Sequence, residues 1–132
     1  MSETGIISKT SQLDFEATYQ KLKTFIDNNP NLKIIAELNH QANAASVGLD
    51  LKPTRIIMFG NPNLGTPLMQ NVQTIGLDLP QKILVYQDSD GVVNVSYNDP
   101  LYLKERYGIT TNDAVLQKIA GALNKLTDAA TQ

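Results

Sequence analysis

The chain reads as an α+β fold: a mainly antiparallel sheet with helices packed on one face, in a single domain over residues 1–132. Three observations predict this. Phe15, Tyr19, Leu22 and Ile26 recur at helical spacing, and Val115, Leu116, Ile119, Leu123 and Leu126 form a second such stripe, so two amphipathic helices bracket the chain. Between them, the apolar runs Lys82-Ile-Leu-Val-Tyr86 and Gly91-Val-Val-Asn-Val-Ser-Tyr97 flank Asp88-Ser-Asp-Gly91, and Asp-Gly accepts the positive φ angles of a tight hairpin. Upstream, Arg55-Ile-Ile-Met-Phe59 is a short β-branched and aromatic run of the kind that fills a buried strand.

The elements follow in order as β-α-β-β-α-β-β-α. Gly5-Ile-Ile-Ser-Lys-Thr10 is a first strand. Ser11 is expected to cap the helix of the Phe15 stripe, with Asp14 three residues on, and Asn28-Asn29-Pro30 ends that helix. Leu32 to Leu38 reads as a second strand, and the Ala/Asn-rich residues 40–47 as an irregular turn or one short helix. The Arg55 strand leaves through Gly60-Asn61-Pro62, and Thr66-Pro67 is expected to start the next helix, with Thr66 as cap and Pro67 at the first helical position. The hairpin leaves through Asn98-Asp99-Pro100, where either polar residue can cap Leu101 to Tyr107, and Gly108 stops that helix. Thr111-Asn-Asp113 starts the last helix.

The two strand exits, Phe59 to Met69 and Val95 to Leu103, are the most specific stretches of the sequence. A strand, an Asn/Gly loop and a helix N-terminus can gather backbone N–H groups around an anion, but neither stretch has the lysine of a phosphate-binding loop nor the three-glycine dinucleotide fingerprint. A tight strand-to-helix turn is the alternative reading.

The stretches Gly48-Leu-Asp-Leu-Lys-Pro-Thr54, Phe59 to Met69, Asp78-Leu-Pro-Gln-Lys-Ile-Leu-Val-Tyr86 and Tyr97-Asn-Asp-Pro-Leu-Tyr-Leu103, with His40 ahead of them, resemble the family grouped as domain of unknown function 302. The resemblance runs over roughly residues 35–110. It implies small bacterial and archaeal α+β proteins, akin to one half of the TATA-binding protein and often paired as homodimers. It implies no activity. Tyr107 departs from the family pattern, which places a histidine before the glycine, so no histidine pair is encoded here.

Composition narrows the chemistry. Eleven basic and thirteen acidic side chains leave a net charge of −2, with no basic block interleaved with aromatics to neutralise a nucleic-acid backbone and no polybasic membrane patch. Zero cysteines exclude disulfides, thiolate catalysis and cysteine-ligated metals. The N-terminus shows no leader pattern and no run reaches membrane-span length, so a cytoplasmic location is expected.

His40 is the only histidine and the only side chain whose ordinary pKa lies near neutrality. It can serve as a general base oriented by Asp99, or simply as a hydrogen-bonding loop residue. No metal-ligand spacing accompanies it, so no metal and no cofactor is expected. Arg55 can present a guanidinium fork to a carboxylate or phosphate, or pair with a neighbouring acid. Asp88 and Asp90 belong to the hairpin turn, and Met58 and Met69 to the core. No Gly-x-Ser-x-Gly elbow supports a serine nucleophile.

The reading that fits best is a homodimeric domain binding a small molecule or anion. Its pocket would place Phe59, Asn61, Gly65 and Thr66 against Tyr97, Asn98 and Asp99, with Arg55 and His40 at the edge. A hydrolase or isomerase using His40, or a module that binds a protein partner, are the alternatives. Leu101, Tyr102, Leu103 and Tyr107 exceed what one stripe of a short helix buries, so Tyr102 or Tyr107 is expected at the dimer interface.

Overall fold

The computed structural model describes residues 4–132; the reading of a leader-free start rests partly on Met1–Glu3, which lie outside the described residues. Strands β1 (Ile6–Thr10), β2 (Lys33–Asn39), β3 (Thr54–Gly60), β4 (Gln81–Gln87) and β5 (Val93–Asn98) form one sheet in the order β1-β5-β4-β3-β2. Every neighbouring pair is antiparallel. The helices are α1 (Phe15–Asp27), α2 (His40–Ser46), α3 (Pro62–Asn71), α4 (Pro100–Arg106) and α5 (Asp113–Ala130), with a 3-10 segment at Gln73–Asp78. β2 to β5 run as a meander, and α1 carries the chain from β1 at one edge to β2 at the other.

The strict alternation of the central strands gives the sheet two unlike faces. Ile57 and Phe59 of β3, Ile83 and Val85 of β4, and Val93, Val95 and Tyr97 of β5 point to one side and are buried. The stripe of α1 (Phe15, Tyr19, Leu22, Ile26) and that of α5 (Leu116, Ile119, Leu123, Leu126) close over them in a single core. Leu22 and Ile26 are wholly buried, and each such side chain stabilises the fold by about 1.5–3 kcal/mol. On the other side, Leu38, Ile56 and Leu84 sit opposite one another in a row across β2, β3 and β4, and none of them is buried.

The helix starts differ from the sequence reading in two places. α1 is capped by Asp14, whose Oδ1 accepts from Ala17 N at 2.7 Å; Ser11 instead accepts from Leu13 N and bonds the Thr18 hydroxyl at 2.6 Å. α3 begins five residues earlier than Thr66-Pro67 implies, because Asn61-Pro62 offers the same cap-then-proline chemistry first. Pro67 therefore lies inside the helix, where its ring and missing N–H cost the bond to the Asn63 carbonyl. Residues 40–47 resolve into the short helix α2, capped by the Asn39 side chain on Ala42 N at 2.9 Å, which adds a helix to the expected β-α-β-β-α-β-β-α layout.

The hairpin and the second exit follow the sequence reading. Asp88 Oδ1 accepts from both Asp90 N and Val92 N, and Gly91 takes the left-handed turn at φ +81°. Asp99 caps α4 on Leu101 N at 3.0 Å, with Pro100 at the first helical position.

Candidate functional site

Where β3 ends, the core opens into a cleft of about 340 Å³ between α3, α5 and the Leu79–Gln81 approach to β4. Phe59, only 2% exposed, forms part of its wall. Leu64 and Met69 of α3 and Ile119, Ala122 and Leu123 of α5 close it with hydrocarbon, and the lining is almost wholly apolar. Asn61, Gly65 and Thr66 line it as well, so four of the residues read as ligand-binding come together around one cavity. A second hollow of about 410 Å³ lies along α4 and is more open; no predicted ligand-binding residue lines it.

The backbone at the α3 start is not free to hold an anion. Asn61 Oδ1 accepts from Asn63 N at 3.0 Å, and the Asn61 carbonyl accepts from Leu64 N at 2.9 Å and Gly65 N at 3.0 Å. Pro62 has no N–H to offer. The first turn thus spends its donors on its own cap, and the cleft next to it is left with hydrocarbon, a few neutral polar groups and Lys33.

The second exit is not part of this cleft. Tyr97 pairs with Ile83 and Ile83 with Ile57, so β4 stands between Tyr97 and the β3 exit. Tyr97 is buried in the main core; burial pushes its phenol above the ordinary value, and the Asp99 and Asp128 carboxylates add to the shift. Asn98 pairs with Ile6 of β1. Asp99 is buried as the α4 cap, and its own N–H donates to the Gly5 carbonyl at 2.8 Å.

His40 opens α2 at the far end of the sheet, next to Asn39, which pairs with Arg55. Asp99 follows β5 at the opposite end, three strands away. At ~4.8 Å per strand and ~3.3 Å per residue, the two are separated by roughly 20 Å, far outside the ~3 Å reach of a general base and its orienting partner. The structure does not bring them together. Among the described residues no group of three or more His, Cys, Asp or Glu is arranged to hold a metal.

Arg55 also belongs to another constellation. Its Nη2 bonds Glu16 Oε1 at 2.9 Å, and its Cζ lies 5.1 Å from the Tyr19 ring centre and 5.5 Å from that of Phe15. Tyr19 donates its hydroxyl to Glu37 Oε1 at 2.6 Å, and Glu37 also pairs with Lys23 at 3.1 Å. Burial, then the Glu37 contact, push the Tyr19 phenol well up; the Tyr19 hydrogen bond holds the Glu37 carboxyl below its ordinary range. This ladder clamps α1 onto β2 and β3.

The tyrosines assigned to an interface have partners inside the chain. The Tyr102 ring lies over Gly5 so closely that a Cβ there would fall 2.2 Å from Tyr102 Cγ. Tyr107 donates to Asp78, which raises its phenol, and Arg106 covers its ring at 5.3 Å while pairing with Asp78 at 3.0 Å. Sequence reasoning missed other cleft residues, among them Lys33, Ile35, Leu79, Pro80 and the α5 face at Ile119 and Ala122. The one available signal was the α5 stripe, which reads as core until the β3 exit is placed against it.

With this geometry in view, the relatives are informative mainly about fold. The crystal structure of an uncharacterized conserved DUF302 protein from Bacillus stearothermophilus superposes with a TM-score of 0.74 at 20% identity, covering 96% of this chain and 95% of that one. Fluoride-specific ion channel FluC 1 of Brucella suis is 33% identical over 121 residues, which is 90% of this chain but 47% of the relative. FluC 1 of Brucella abortus is likewise 33% identical over 121 residues, covering 44% of its length. The chain therefore spans less than half the length of the curated relatives it matches, and among its described residues no helix is long and apolar enough to cross a membrane. The domain of unknown function DUF302 matches residues 7–126, and the chain belongs to that family.

Proposed function

We propose that this chain is a small-molecule-binding domain that takes an apolar group into the cleft between α3, α5 and the β3 exit. The observation that carries the reading is the cleft itself: about 340 Å³, continuous with the core, and lined by Phe59, Leu64, Met69 and the α5 face. Ligand sites are concave, largely apolar and fitted with a few polar groups for orientation, in volumes of roughly 300–1,000 Å³. Asn61, Thr66 and Gln81 are the neutral polar groups here. Because the Asn63, Leu64 and Gly65 N–H groups are engaged, the reading favours hydrocarbon over an anion bound to the helix start. Catalysis by His40 and Asp99 finds no support in their placement. Fluoride transport, named for the longer Brucella relatives, has no supporting feature in this cleft.

The test is a thermal-shift titration with 1-octanol and indole, on the wild type and on Ala122→Phe, which fills the cleft from α5. Expected is a concentration-dependent rise in Tm for the wild type that the variant lacks. No rise in the wild type, or an equal rise in both proteins, refutes the reading.

The same proposal includes pairing of two copies across the open sheet face. Its support is the row Leu38, Ile56 and Leu84, flanked by Met58 and Tyr86, none of them buried. Ile6 and Leu38 are among the most exposed large apolar residues of the sheet. A twofold contact must be self-complementary, which a flat apolar sheet face satisfies. Light scattering at high micromolar concentration is expected to give a dimer for the wild type and a monomer for Leu84→Lys. A monomeric wild type removes this part and leaves the cleft untouched.

A further inference from the structure

We infer that the cleft's ligand is a small amphipathic carboxylate, its hydrocarbon inside and its carboxylate at the Lys33 ammonium; this rests on the cleft reading above. Of the 17 described residues that line the cavity, Lys33 is the only ionisable one. It opens β2, is exposed, and takes part in none of the ion pairs or side-chain hydrogen bonds described. Lys9, Lys23 and Lys104, by contrast, are each engaged by an acid. Lys33 thus offers a cation with its donors available beside an apolar hollow.

The local backbone reinforces this polarity. The β2–β3 pairing carries a bulge between Ile34 and Ala36, and a bulge re-aims the side chains around it. Ile35, the residue within that irregularity, lines the cleft while 59% exposed. Lys33 and Ile35, two apart on an edge strand, both line the cavity, a cationic residue beside a largely exposed hydrocarbon. An apolar molecule without a charge would satisfy Ile35 and the interior and leave the ammonium unused. A cationic one would meet repulsion, since none of the described residues lining the cavity carries a carboxylate. The volume lies at the small end of ligand sites, which fits a medium-chain or arylalkanoic acid rather than a long lipid.

Isothermal titration with octanoate, 1-octanol and octylamine at low salt tests the inference. The carboxylate is expected to bind about two- to fivefold more tightly than the alcohol, the gain of an exposed ion pair, and octylamine most weakly. That preference is expected to shrink at 0.5 M salt. Lys33→Met is expected to make octanoate and octanol bind equally tightly, and Lys33→Glu to favour octylamine. Because Lys33 is exposed, circular dichroism and Tm are expected to show both variants folded. Equal binding of octanoate and octanol to the wild type, or a carboxylate preference that survives Lys33→Met, overturns this inference alone. Absence of binding by all three compounds overturns it together with the cleft reading.

Discussion

Three glycine-to-alanine substitutions separate backbone propensity from packing at the cleft wall. Gly121 lies in exposed α5, and a Cβ there would meet nothing within 4 Å. Gly121→Ala therefore reports helix propensity alone, a gain of about 0.8–1 kcal/mol. Gly65 lies inside α3, and its Cβ would sit 3.8 Å from Leu79 Cδ1, an ordinary van der Waals contact across the cleft. Gly65→Ala is expected to gain about the same, plus a small increment from that contact. For a chain of 132 residues, 1 kcal/mol corresponds to a Tm rise of about 3–4 °C. Gly5 has φ +71°, and its Cβ would fall 2.2 Å from Tyr102 Cγ, so Gly5→Ala is expected to destabilise by about 3 kcal/mol through clash and left-handed strain. Urea denaturation monitored by circular dichroism, with thermal melts beside it, gives all three values. A Gly65→Ala protein less stable than wild type refutes the helix start at Pro62, because only a loop conformation at Gly65 makes alanine unfavourable there.

The α1 clamp supplies two further predictions. Tyr19→Phe removes the hydrogen bond that holds the Glu37 carboxyl below its ordinary value of 4.5 and is expected to cost about 1 kcal/mol at pH 7, a figure discounted because the Glu37 side chain is 32% exposed. A depressed carboxyl stabilises fully above its unfolded pKa and loses that contribution as pH falls through the folded one, so urea denaturation at pH 7 and pH 3 is expected to show wild type and variant converging in acid. Arg55→Lys keeps the charge near Glu16 but loses the planar stack on Phe15 and Tyr19, and is expected to cost about 0.5–1 kcal/mol with no change at high salt beyond that of the ion pair.

Where one physical signal dominates a segment, the sequence is easily read; where two compete, it is not. The α1 and α5 stripes are legible because burial of one face under the sheet sets their period, and nothing else in those segments opposes it. Asp88 and Gly91 are legible because the turn's hydrogen bonds are local. The α3 start offered two chemically equivalent solutions, Asn61-Pro62 and Thr66-Pro67. Asn61-Pro62 comes first in the chain and takes the cap, and the longer helix it starts is held to distant sequence further along, where Asn112 Nδ2 donates to the Pro67 carbonyl at 3.2 Å and Leu68 is buried. α2 has no buried residue and hence no stripe to read; only the Asn39 cap marks it.

The site divides along the same line. Phe59, Asn61, Gly65 and Thr66 reach one cavity because a single strand exit carries them all, so a local motif sufficed to find them. The second exit follows a similar pattern of aromatic residue, Asn and Pro, yet β4 pairs between β3 and β5 and keeps Tyr97 and Asn98 away from the cleft. Strand order is a property of long-range pairing that neither exit encodes. The character of the site turns on one further local fact. Asn61 was read as a group that holds a ligand, and a side-chain oxygen one residue ahead of a helix is also the strongest available cap. The cap is intramolecular and preorganised, so it takes the Asn63 N–H that an anion would need. What remains beside it is a hollow walled largely by apolar side chains whose only charge, among the described residues, is Lys33, contributed by an edge strand 26 residues before Phe59. An apolar cavity with a single cation at one wall selects its ligand by hydrocarbon fit first and by charge second, the order in which the titrations above are designed to separate the two.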